Sequence, residues 1–150
     1  MLKYVVAAML GAIFARPALA EELIMVKSQR NVPETLDRLQ MIVKGDGFFI
    51  VARVPHSEAA KDAGLTLRPT ELMIFGKPQS GTPLMVCDQR AGIDLPLRAL
   101  AWEDGAKQVW LAMVDPHVLK QRYSLGAECD GVMDRMTTTV RTFLADATAP

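Results

Sequence analysis

The sequence predicts a two-layer α+β sandwich: a mixed or antiparallel sheet of about five strands with helices on one face. Asp104-Gly105 lies between two apolar runs, Leu97 to Glu103 and Lys107 to Val114, and is the strongest local signal for an antiparallel hairpin. Other short runs of β-type composition alternate with segments of helical periodicity. No repeat, low-complexity tract or linker interrupts the chain, so one core is expected. A doubly wound parallel sheet is the alternative architecture.

The chain of 150 residues begins with Lys3, an apolar run from Tyr4 to Phe14, a break at Arg16-Pro17 and then Ala18-Leu19-Ala20. This is the pattern of a secretory signal at residues 1–20 with cleavage after Ala20. A spanning helix takes about 20 apolar residues, so the run is too short for an uncleaved anchor. Residues 21–150 are then expected to form a single periplasmic or secreted domain with no stable membrane anchor after cleavage. Loss of Lys3 and Arg16 from the 17 basic residues leaves two fewer than the 17 acidic ones. That balance provides no electrostatic basis for nucleic acid or an anionic membrane surface as partner.

Glu22 to Ser28 is a short apolar run of strand type, and Asn31-Val32-Pro33-Glu34 supplies the start of a helix. Val32, Leu36, Leu39 and Val43 recur on one face of that helix, which Gly45 or Gly47 ends. Phe48 to Val54 is aromatic and β-branched, Pro55 stops it, and a short Ala-rich helix follows up to Gly64. Thr70 to Phe75 is the next strand, with Leu72 and Ile74 on one face and Glu71, Met73 and Phe75 on the other. Thr82 is expected to cap a helix that begins at Pro83. After the hairpin, Asp115-Pro116 opens a short helix through Arg122. From Asp130 to Asp146, Val132, Met133, Met136, Val140, Phe143 and Leu144 form a single helical stripe.

The central stretch reads Gly64-Leu65-x-Leu67-Arg68-Pro69-Thr70-Glu71-Leu72, Ile74-Phe75-Gly76-x-Pro78, Gly81-Thr82-Pro83-Leu84-Met85, Leu95-Pro96-Leu97 and Trp102-Glu103-Asp104. In this order the motifs resemble the family of domain of unknown function 302, over about residues 22–122. The segment 123–150 reads as a C-terminal helical extension. The resemblance implies a small α+β domain, often exported and able to pair into homodimers, with no established reaction, substrate or cofactor. Lys77 stands where the family pattern has asparagine, and Tyr123 where it has a histidine after the arginine at Arg122.

The two cysteines, Cys87 and Cys129, fit no CxxC motif. Export makes them a candidate structural disulfide; two unpaired thiols are the alternative, and a redox-active pair is the least favoured reading. If joined, they would form a bridge particular to proteins like this one, because Cys129 lies in the extension.

His56, at a strand-to-helix junction, is the best single catalytic candidate: a proton-transfer group or a metal ligand, set against a histidine that merely bonds a loop. Glu71 and Glu103, each on an expected strand, could divide acid and base roles, but only if the fold brings them together. An ion pair of Arg68 with Glu71 is the stronger reading, because buried charges are paired. HExxH, CxxC, GxSxG and GxGxxG are all absent, and the methionines are scattered core-type residues. No cofactor and no metal are expected. The leading expectation is a homodimeric module that binds a small ligand or partner through Arg68, Phe75, Thr82 and Trp102, with an apolar pocket near Phe75 and Trp102. The alternative is a hydrolase-like or metal-assisted enzyme using His56 with Glu71 or Glu103.

Overall fold

A computed structural model describes residues 22–150; the expected signal segment 1–20 and its cleavage after Ala20 lie outside the described residues. In chain order the elements are β1 (Leu23–Ser28), α1 (Val32–Gly45), β2 (Phe49–Val54), α2 (His56–Asp62), β3 (Thr70–Gly76) and α3 (Pro78–Cys87). A 3-10 helix (Gln89–Asp94) leads into β4 (Leu97–Glu103) and β5 (Val109–Val114). Then come α4 (His117–Arg122), a short 3-10 turn (Ala127–Cys129) and α5 (Asp130–Thr148).

The five strands form one sheet in the order β1-β5-β4-β3-β2, and every neighbouring pair is antiparallel. The fold is therefore the α+β sandwich, and the parallel alternative is excluded. Asp104 explains the hairpin at atomic level: its Oδ1 accepts the backbone N–H groups of Ala106 and Gln108, and its Oδ2 accepts Trp110 Nε1–H at 2.8 Å. The turn is thus fastened to the strand that follows it.

Side-chain alternation sends Met73, Phe75, Ala99, Ala101, Leu111 and Met113 to one face. There they meet the apolar stripes of α1 (Val32, Leu36, Leu39, Val43) and of the C-terminal half of α5 (Val140, Phe143, Leu144, Ala147). Phe48, Phe75 and Phe143 close this core with ring centroids 5.3 to 6.1 Å apart in edge-on or tilted contacts. A second cluster, Leu84, Ala91, Leu119, Leu125, Cys129, Met133 and Met136, gathers α3, the Gln89–Asp94 helix and α4 around the N-terminal half of α5. Cys87 and Cys129 form a disulfide across it, with Cα atoms 6.2 Å apart.

Two local expectations are corrected. α3 begins at Pro78 behind an extended Lys77, and neither a Thr82 cap nor a start at Pro83 is found. Proline fits the first helical position because its missing N–H would have had no intrahelical partner there. Pro83 then sits inside the helix, where one lost hydrogen bond is offset by full burial of Leu84 and by the bridge at Cys87. The second correction concerns Glu71, whose Oε1 accepts from Arg53 Nε at 2.6 Å; Arg68 instead donates to the Glu103 carbonyl at 3.1 Å. A bulge between Ile50 and Ala52 is the cause: Ile50 faces Phe75 and Arg53 faces Met73, so both point to the helix side although they are three positions apart. Arg53 also pairs with Asp37 on α1.

Candidate functional site

A pocket of about 490 Å³ opens where the start of β2, the turn into α3 and the middle of α5 meet. Its floor is apolar: Phe48 and Phe49 on one side, Leu95, Pro96 and Leu97 on another, Val132 and Met136 on α5. Phe49, paired with Gly76 across the strands, is 51% exposed, while Phe48 is buried against Phe75 and Phe143. The walls fit closely at two glycines. A Cβ on Gly76 would lie 3.1 Å from Pro96 Cβ, and one on Gly92 would lie 3.2 Å from Met85 Sδ. The absence of side chains at these positions lets the α3 entry and the loop before β4 approach one another.

Hydroxyl groups of Ser80, Thr82 and Thr139 and the amide of Gln79 edge the apolar floor. The charged side chains in the lining are Lys77 and Arg135. Lys77 Nζ donates to the Asp46 carbonyl at 2.7 Å and lies 5.5 Å from the centroid of the Phe48 ring, a cation–π arrangement that holds the ammonium over the pocket edge. Arg135 is exposed on α5 and, among the described residues, pairs with no carboxylate.

The residues expected from sequence to form a site are dispersed. Phe75 is fully buried in the core, facing Leu97 across the strand pair. Trp102 faces Thr70 on the opposite side of the sheet, stacked on Trp110 with ring centroids 6.5 Å apart. A pocket shared by Phe75 and Trp102 is therefore excluded by strand alternation. Thr82 does line the pocket, and Arg68 lies outside it. His56 is exposed at the start of α2 and makes no hydrogen bond or ion pair with Glu71 or Glu103. Glu71 is held by Arg53, whose guanidinium pKa is raised above its ordinary value chiefly by that bond. Glu103 accepts from Lys107 Nζ at 3.0 Å across the hairpin. No group of three His, Cys, Asp or Glu side chains among the described residues is placed to hold a metal.

One polar constellation had no sequence signal. Asp94 accepts from Arg122 Nη1 at 2.6 Å and from Tyr123 Oη–H at 2.5 Å, with Arg98 at 3.7 Å. Burial pushes its carboxyl pKa upward, but the bonds from Tyr123 and Arg122 outweigh this and hold it below the usual carboxylate range. The cluster ties the end of the Gln89–Asp94 helix to α4. Asp94 is separated from Arg122 by 28 positions, so no local spacing could have paired them.

Fold and site together define a small two-layer α+β domain with a preformed apolar pocket at the junction of its two clusters. The chain belongs to the family described as Domain of unknown function DUF302, whose model matches residues 24–143 and so includes most of α5. The crystal structure of an uncharacterized conserved protein DUF302 from Bacillus stearothermophilus superposes with a TM-score of 0.77 at 17% identity, covering 85% of this chain and 99% of that one. At that identity the likeness concerns the fold alone. The proteins named Fluoride-specific ion channel FluC 1 from Brucella suis biovar 1 and Brucella abortus biovar 1 are each 49% identical to this chain over 116 residues, 77% of its length. The match covers 46% and 43% of those proteins, so this chain spans less than half the length of the curated relatives it matches. Among the described residues, no helix is long and apolar enough to cross a membrane.

Proposed function

We propose that this chain is an exported binding module that takes a small, largely apolar ligand into the pocket between Phe49, α3 and α5. The pocket itself carries the reading. At about 490 Å³ it falls within the range of ligand sites, roughly 300–1,000 Å³, and its apolar floor is edged by a few hydroxyl and amide groups. The disulfide supports an oxidising compartment, which agrees with export. The fluoride-channel name of the Brucella proteins is not carried over: in this reading channel activity stays with the portion of those proteins that this chain does not match.

The reading includes pairing of two copies through the sheet face that α1 and α5 leave uncovered. Leu23, Met25 and Val114 are 40 to 45% exposed there, beside the Trp102–Trp110 stack. An uncovered apolar face of this extent favours an interface over open solvent. Without residues 1–20 the chain carries 15 basic against 17 acidic residues, so repulsion between copies is weak.

Binding is tested with an apolar fluorophore whose emission rises on leaving water. The parent protein is expected to bind it saturably, and Thr139→Trp, which fills the pocket from α5, is expected to abolish the signal. Equal binding by the variant would refute the pocket as the site. For pairing, sedimentation should give a dimer for the parent and a monomer for Met25→Asp; a monomeric parent at every concentration would remove that part of the reading.

A further inference from the structure

The small-ligand reading leaves the chemical class of the ligand open, and the charge distribution of the pocket narrows it. Among the described residues, Lys77 and Arg135 are the charged side chains of the lining, both are cationic, and no carboxylate joins them. Arg135 carries five N–H donors and, among the described residues, no side-chain acceptor is bonded to it. Lys77 spends one of its three donors on the Asp46 carbonyl. The first turn of α3 adds to the same sign: the helix starts at Pro78 in the pocket wall with no side-chain cap, so its positive end is not offset by an acidic group. The rest of the lining is apolar side chains and glycines with the neutral polar residues Gln79, Ser80, Thr82 and Thr139, none of which carries a charge to pair with a cationic group.

We infer that the pocket takes an amphipathic monocarboxylate, with its apolar chain over Phe48, Leu97 and Met136 and its carboxylate between Lys77 and Arg135. This rests on the small-ligand reading and specifies the class that fills it. A water occupies about 30 Å³ of liquid, so a pocket of about 490 Å³ accommodates on the order of fifteen non-hydrogen atoms. A straight-chain acid of about ten carbons is within that size. The apolar chain gains from burial, whereas the head group gains only if it is negative. A neutral alcohol of the same length loses the charge-assisted bonds, and a quaternary ammonium of the same length meets two cations at the mouth.

The test is titration of the full chain with decanoate, decan-1-ol and decyltrimethylammonium, each below its micelle concentration, read by calorimetry and by displacement of the apolar fluorophore. Decanoate is expected to bind about tenfold or more tighter than decan-1-ol, the increment expected of charge-assisted bonds. Decyltrimethylammonium is expected not to bind. Arg135→Met and Lys77→Met should each lower the ratio of decanoate to alcohol affinity toward one, and added salt should lower the same ratio. Arg135 is exposed, so its variant is expected to fold even if Lys77→Met does not. Equal affinities for acid and alcohol, or a decanoate affinity indifferent to Arg135→Met, would overturn the inference while leaving the small-ligand reading intact. If none of the three binds while the fluorophore still does, the inference falls alone; if the fluorophore does not bind either, both fall.

Discussion

The two apolar clusters share α5 but are held together by different means. The larger one joins the sheet to α1 and the C-terminal half of α5; it is knit by four antiparallel strand pairs and by the Phe48–Phe75–Phe143 contacts. The smaller one, around Leu84 and Met133, contains no strand pair of its own and gathers short helices that could not stay in place by local hydrogen bonding. The Cys87–Cys129 bridge and the bonds of Asp94 to Arg122 and Tyr123 hold those pieces in place. Leu97 packs against both clusters, and the pocket opens at that joint. A cavity survives where two separately stabilised units meet, because neither is free to collapse onto the other.

If this contrast is right, damage to the two clusters should differ in extent. Phe75→Ala should produce the largest loss, about 3–5 kcal/mol in denaturant unfolding, because a fully buried ring is removed from two aromatic partners, Phe48 and Phe143, at once. A loss under about 1 kcal/mol would mean that the aromatic contacts do not hold the core. Replacing both cysteines by serine should cost up to about 4 kcal/mol, from the chain-entropy model for a separation of 42. Hydrogen exchange should then accelerate in α3 and the Gln89–Asp94 helix while the sheet amides stay protected. Uniform acceleration would show that the clusters unfold as one.

Smaller effects sharpen the picture further. Asp94→Asn should lower stability by about 1 kcal/mol, since its partners Arg122 and Arg98 are partly solvated, and should again act on the smaller cluster first. Acid should act in a definite direction. Asp94 and Asp104 have carboxyl pKa values lowered in the folded protein, Asp104 chiefly by the Trp110 bond. What they contribute is fully present above the unfolded carboxylate pKa of about 3.9 and is lost as pH falls through their lower folded values. Urea midpoints measured from pH 6 down to pH 2 should fall across that window, and Asp94→Asn should remove part of the fall.

Elements dictated by near neighbours were legible in the sequence. The Asp104-Gly105 hairpin, the helix after Asn31 and the apolar stripe of α5 all follow from residues within a few positions of one another. Asn31 does accept from the Glu34 N–H at 2.9 Å, as its position before Pro33 suggests. Two prolines, Pro78 and Pro83, are each compatible with a helix start, and α3 begins at the first of them with Leu84 fully buried. The Arg53–Glu71 pair was hidden by the bulge, which reverses the side-chain parity on which any reading of β2 by alternation depends.

The candidate site was legible only in fragments. Thr82, expected as a ligand contact, lines the pocket; Arg68 and Trp102 lie elsewhere, and Phe75 is part of the core. Gly76, Pro78, Met85, Pro96 and Leu97, noted as motif residues, turn out to share one cavity with Phe49, Arg135 and Met136, more than 80 positions apart at the extremes. Composition and local spacing determined the class of fold, the hairpin, the helical stripes and the pair of cysteines available for a bridge, because each depends on periodicity or on the preferences of adjacent residues. The pocket, its cationic edge, the anchor at Asp94 and the choice of Arg53 as partner of Glu71 were decided by tertiary structure alone. Each depends on side chains brought together by strand register and helix packing, and neither is encoded within a window of sequence short enough to read.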